Sequence, residues 1–165
     1  MIHALILLST LSATAEPTME PPGDPTIEPG ADPPTKPNTA QRAMYDLLKV
    51  REAPPTCEAL AALSEAPADD LIWLMDHANQ PAWVGVRAAH CVLTQHMEEK
   101  ATVIDTWVTD PERRGLAILT IGMLSKIPPE HGTRIAKKAL AGPHAADARK
   151  RLIEDANPDL LKLVE

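Results

Sequence analysis

Three groups of residues in this 165-residue chain carry side chains able to do chemistry. Trp73, Asp76 and His77 fall within five positions of one another. An indole beside a carboxylate and an imidazole joins apolar area to hydrogen-bonding groups, which suits contact with a partner. Arg134, Lys137 and Lys138 recur at i, i+3 and i+4, so they share one face of a helix. Three cations on one face could meet an acidic protein, a lipid headgroup or an anionic envelope surface. A solvated face is the plainer alternative. Cys57 and Cys91 are the chain's two cysteines. In an oxidising compartment an even count points to a disulfide. His90 and His96 flank Cys91, but six residues apart they lie on different helical faces and make a poor metal set. No Ser-His-Asp or Cys-His arrangement, phosphate-cradling glycine loop or metal-ligand spacing is present, so no catalytic residue, metal or cofactor is expected.

The elements that must hold these groups are helices. Apolar residues recur with helical spacing, while β-branched and aromatic alternation is almost absent, so the expected fold class is all-α. Thr39 is the expected N-cap of a helix over 39–51, with Met44, Leu47 and Leu48 on its apolar stripe. Pro54 and Pro55 end it. Thr56 caps a short helix over 57–65. Prolines at 67, 81, 111, 129 and 143 open helices reaching to about 78, 97, 127, 142 and 156, a further helix covers 98–108, and Pro158 starts a last turn. On the helix from Pro67, Leu71, Leu74, Met75 and Ala78 form the buried stripe. Trp73 then points the other way with Asp69, Asp76 and His77, unless it packs under the first helix. Trp107 lies on the stripe of Val103, Ile104 and Val108 and should be core. Trp83 sits at a turn and is ambiguous. In this register Cys57 and Cys91 stand about 7.5 Å apart along the helix axis, more than a bridge spans without tilt. Two small buried thiols remain the alternative to the disulfide.

Composition narrows the function classes. The chain has no Phe, 1 Tyr and 3 Trp, so Leu, Ala, Ile, Val and Met must build the core. Its net charge of −7 argues against a nucleic-acid partner. Residues 39–110 hold 5 basic and 11 acidic side chains and residues 111–165 hold 10 and 7, so charge separates along the fold. Residues 1–15 read as a signal peptide: an apolar run over 4–11, then small residues over 13–15 ahead of Glu16. The protein is therefore expected to be exported, to the periplasm or beyond the cell. From Glu16 an acid followed by Pro returns every fourth residue, at 16–17, 20–21, 24–25, 28–29 and 32–33. Proline removes donors and like charges repel, so 16–38 reads as a disordered acidic, proline-rich linker reaching up to about 70 Å. Either a partner or this linker itself has the sign to meet the basic end. A helical domain over 39–165 follows. No later run has about 18 apolar residues, so no transmembrane segment is expected.

A repeat of roughly 30 residues runs through the second half. Pro81 leads to Arg87, Pro111 to Arg114 and Pro143 to Arg149. The segment 110–124, with Asp110, Pro111, Arg114, Ala117, Gly122 and Leu124, resembles the first helix of HEAT-like repeats of the phycobilin-lyase type. The copy around Pro81 keeps Val86, Arg87, Ala89 and Leu93, and the last keeps Ala148 and Arg149. The resemblance implies a short right-handed α-solenoid of about four antiparallel helical pairs. It implies that Arg87, Asp110, Arg114 and Arg149 are structural, each Arg packing against an acid of an adjoining turn or repeat. It also implies a binding surface made by the second helix of each pair, beginning near Pro67, Glu98 and Pro129. The function expected from this is a non-catalytic protein-binding scaffold of the cell envelope or extracellular space. A spacer or self-associating module without a ligand is the alternative. An enzyme related to the bilin lyases, some of which attach or isomerise bilins, is the least expected.

Overall fold

The computed structural model describes residues 36–78, 80–155 and 157–164. The signal peptide read over 1–15 and residues 16–35 of the linker read over 16–38 lie outside them, and Asn38 at its end belongs to the cap of the first helix. Among the described residues every regular element is helical: α1 (Thr39–Leu48), α2 (Cys57–Ala61), α3 (Pro67–His77), α4 (Trp83–Gln95), α5 (Ala101–Thr109), α6 (Arg114–Ile121), α7 (Pro129–Ala141), α8 (Ala145–Asp155) and α9 (Pro158–Leu161).

Local signals explain most of the helix starts. Asn38, not Thr39, caps α1: its side chain accepts from Gln41 N while the Gln41 side chain accepts from Asn38 N, a reciprocal capping box. Thr56 Oγ1 accepts from Ala59 N at the head of α2. Proline occupies the first turn of α3, α7 and α9, where its missing N–H leaves nothing unpaired. After Pro81 and Pro143 the helix begins two residues later than the prolines suggested. The helix expected over 98–108 starts at Ala101, after a turn.

The largest departure concerns residues 111–127, expected as one helix. They form a 3-10 turn at Pro111–Arg113, then α6, then a second 3-10 turn at Leu124–Lys126. Gly122 ends α6 and is a poor helix interior residue. The break lets Leu124 and Ile127 turn inward and become buried. Gly132 of α7 makes room for that turn, because a Cβ there would stand 3.1 Å from the Leu124 carbonyl oxygen.

Packing joins neighbours along the chain, α3 on α4, α5 on α6 and α7 on α8, and also alternate helices, α1 on α3, α5 on α7 and α6 on α8. One hydrophobic core runs through all of them, from Met44 of α1 to Leu160 of α9. Trp107 is fully buried and is the largest side chain in it. Leu47, read from sequence as part of the α1 stripe, is 40% exposed. Two devices fasten the first third of the fold. The buried Asp70 carboxylate accepts from Asn38 Nδ2 at 2.9 Å, Gln41 Nε2 at 2.8 Å and Ser64 Oγ, tying α1 and the turn after α2 to α3. A Cys57–Cys91 disulfide, with Cα atoms 5.3 Å apart, ties α2 to α4. The 7.5 Å offset read from sequence does not arise. With five residues and a non-helical lead-in, α2 is free of the register that the offset assumed.

Candidate functional site

The residues singled out from sequence fall into two groups on different helices. On α3 the Trp73 ring is half-buried against the core and stacks on His77, with ring centroids 4.3 Å apart and planes 7° from parallel. His77 Nδ1 lies 2.8 Å from the Trp73 carbonyl oxygen, the i, i+4 approach that brings the rings together. Asp76 is held 3.0 Å from Arg113 Nη1. On α7, Arg134 and Lys138 both turn back to Asp105 of α5, the lysine at 2.8 Å, while Lys137 faces solvent. The three cations therefore do not stand as an open basic face. Two of them already share a carboxylate.

The charge asymmetry along the chain acquires a structural meaning here. Acids on an earlier helix pair with bases on a later one. Asp69 of α3 meets Lys100, just before α5, at 2.6 Å. Asp76 of α3 meets Arg113, and Asp105 of α5 meets Arg134 and Lys138 of α7. The hydrogen bond to Asp69 raises the Lys100 pKa, partly offset by desolvation, and Glu99 adds to it. Glu99 is lowered by its hydrogen bond to Lys100. Asp76 with Arg113 and Asp105 with Arg134 and Lys138 thus join the acidic first part to the basic second part on the α3, α5 and α7 side, while Asp69 and Lys100 pair within the first.

The repeated arginines hold adjoining elements, but their partners are not uniformly acids. Arg87 donates to the carbonyls of Leu48 at 2.7 Å, Val50, and Arg51 at 3.1 Å, closing the C-terminal end of α1. Leu48 is the last residue of α1, where a carbonyl has no intrahelical donor, and Val50 and Arg51 follow just beyond it, so the guanidinium closes the helix end and the turn after it. Arg114 grips Asp147 of α8 through two bonds of 2.7 and 2.8 Å. That hydrogen bond lowers the Asp147 pKa and raises that of Arg114. Arg149 donates to the Val164 carbonyl at 3.2 Å. Asp110 caps the turn before α6 by accepting from Glu112 N at 2.9 Å.

A separate cavity lies on the α4, α6 and α8 side. A groove of about 730 Å³ is lined by Pro54 and Pro55, by Val86, His90 and Cys91 of α4, and by Ile118, Leu119 and Met123 of α6 and the residues after it. An adjoining hollow of about 340 Å³ shares Val86, Gly115 and Leu119 and adds Met75, Ala82 and Leu116. Val86 is 48% exposed, high for a large apolar side chain. Arg87, Lys126 and Arg151 also line the groove. No carboxylate is among the described residues lining either part. Gly115 opens the groove between them, since a Cβ there would meet nothing within 4 Å.

Sequence reasoning assigned binding to the other side of the fold and missed this groove. The available signal was α6 itself, where Leu116, Ile118, Leu119 and Ile121 leave little polar face. A helix apolar nearly all round is either fully buried or offers its second face to something. Among the described residues the groove lining holds no assembled nucleophile and base; it offers apolar contact and three cations. Comparison with known proteins finds no family model, no curated protein and no solved structure that matches the chain.

Proposed function

We propose that this protein is a non-catalytic protein-binding scaffold of the cell envelope or extracellular space. The observation that carries the proposal is the apolar groove along α4 and α6 that the described residues leave open, about 730 Å³ with exposed Val86 in its lining. Exposed apolar surface gathered into one concavity is where partners bind. The architecture we infer is a short right-handed α-solenoid of about four antiparallel HEAT-like pairs. Its support is the packing of neighbours and next-but-one helices together with arginines returning at repeat positions to hold the adjoining element. Export, with residues 1–15 removed as a signal peptide and the acidic proline-rich segment as a spacer, is supported by the Cys57–Cys91 bridge, because disulfides persist in oxidising compartments.

The test is capture of partners from envelope extract by the exported protein, beside a Val86→Asp variant. A scaffold that uses the groove retains a defined protein that the variant loses. Identical capture by both would count against the groove, and capture of nothing specific would favour a spacer. Mass spectrometry of the native protein should find Glu16 at the N-terminus, and an intact Met1 would refute export through this segment.

A further inference from the structure

We propose that the groove receives the apolar face of an acidic amphipathic helix presented by the partner protein. The inference rests on the scaffold reading and names the chemistry of its ligand. Charge is the first argument. The chain as a whole carries 23 acids against 16 Lys and Arg, yet the groove is lined by Arg87, Lys126 and Arg151, with His90 beside them, and by no described carboxylate. The hydrogen-bond partners of Arg87 are backbone carbonyls, so no carboxylate is set against it there. Arg151 meets Glu154 at 3.4 Å, and no ion pair involves Lys126 among the described residues. An acidic ligand meets attraction there and a basic one meets like charge in an apolar surround.

Two of the three cations, Lys126 and Arg151, give the ligand a direction. Along α6 the lining residues run from Gly115 and Leu116, where the adjoining hollow is uncharged, to Gly122, Met123 and Lys126. Arg151 reaches the second end, its Nε 3.1 Å from where a Gly122 Cβ would be. From Gly115 to Ile121, the last residue of α6, is about 9 Å at the helical rise, not quite two turns, and Gly122, Met123 and Lys126 continue past the break. A ligand stripe of two or three apolar side chains with carboxylates towards the Lys126 end matches that length.

The walls select a helix over an extended segment. They are faces of α4 and α6, whose backbone N–H and C=O groups bond within their own helices, so no sheet edge exists for strand addition. Among the described residues no Trp, Tyr or Phe lines the groove, and polyproline recognition depends on aromatic slots. A helix satisfies its own backbone and needs from the groove only apolar contact. Its side chains can interdigitate with ridges such as Val86 and Leu119 as any packed helix would.

The test uses three synthetic peptides of roughly 18 residues, long enough for helix to form on binding. Two share one leucine stripe and carry either Glu or Lys on the polar face, and the third is the Glu peptide with two central prolines. Binding to the disulfide-intact protein is read by fluorescence anisotropy. The Glu peptide should bind at least about tenfold tighter than the Lys peptide at low salt, with the gap narrowing as salt rises. The proline peptide should bind at least about tenfold more weakly, because it cannot present the stripe. Gly115→Trp fills open space and Val86→Asp places a carboxylate on an exposed position, so both should fold, as circular dichroism would verify, and both should abolish Glu-peptide binding. Lys126→Glu should shift preference towards the Lys peptide. Equal or tighter binding of the Lys peptide, still blocked by Gly115→Trp, overturns the acidic assignment and leaves the groove as the site. Undiminished Glu-peptide binding to Gly115→Trp overturns the groove reading too. Equal binding of the proline peptide overturns the helix. Failure of all three peptides where dodecanoate binds would reject a helical partner in favour of a small amphiphile.

Discussion

Replacing Asp70 by alanine should expose how the N-terminal helix is held. Asp70 is 7% exposed, and one carboxylate oxygen accepts from both Asn38 Nδ2 and Gln41 Nε2 while the other accepts from Ser64 Oγ. Alanine removes all three acceptor contacts. Asn38 and Ser64 are accessible enough to recover water, but Gln41 is 6% exposed and its amide would lose its partner where water does not reach. A bond to a charged group is worth about 1.5–3 kcal/mol net, and an orphaned buried donor costs about 1–3 kcal/mol. The terms overlap, so the expected loss is about 3 kcal/mol, a large part of the ~5–15 kcal/mol that holds a domain together. Asparagine behaves differently. Its Oδ1 can keep both amide donors, and its Nδ2 can donate to Ser64 Oγ, which has a second lone pair for Ala66 N. Asp70→Asn should therefore lose only the charge, about 1 kcal/mol. In urea, with a slope of about 1.5 kcal/mol/M, the midpoint should fall by about 2 M for alanine and well under 1 M for asparagine. Gln41→Ala and Asp70→Ala should be non-additive in a double-mutant cycle. An alanine variant within about 0.5 kcal/mol of the parent, or asparagine as damaging as alanine, would refute this account of the network.

Three further outcomes follow from the same geometry. Replacing Cys57 and Cys91 by serine opens a crosslink of sequence separation 34. Chain-entropy arguments put the loss near 4 kcal/mol at most and about 2–4 kcal/mol in practice, measurable as a lower urea midpoint that reducing agent does not lower further. Gly115→Ala, in the first turn of α6 with open space around the new methyl, should raise stability by about 0.5–1 kcal/mol in the same assay, and a loss would mean the position is strained. The Arg114 hydrogen bond lowers the pKa of Asp147, so its contribution is present above the unfolded carboxyl value near ~3.9 and is lost as pH falls through the folded one. Asp147→Asn should make stability fall less steeply below about pH 4, and an unchanged acid limb would show that the pair adds nothing.

What the sequence determined by itself is the set of helices and much of what each buries. Proline at first turns, Thr56 as a cap, Gly142 after the last residue of α7 and the stripes of Leu71 with Leu74 or Ile135 with Ala139 are short-range signals. They act within one or two turns, so they can be read without knowing what lies opposite. They misled where tertiary demand outweighed local preference. Residues 111–127 break at Gly122 because Leu124 and Ile127 are drawn into the core, and Leu47 stays outside although its spacing matched the stripe. Everything that depends on which helices meet was decided by the fold. Asp105 faces α7, so Arg134 and Lys138 close on it. Leu48, Val50 and Arg51 bring carbonyls to Arg87 where an acid was expected. Cys57 leaves the assumed register and reaches Cys91. The groove belongs to no single segment: Pro54, Val86, Leu119 and Arg151 are far apart in the chain, and only packing of α4, α6 and α8 puts their side chains around one space. Charge pairing and concavity are properties of distances between elements, and those distances are set by how the apolar stripes interlock.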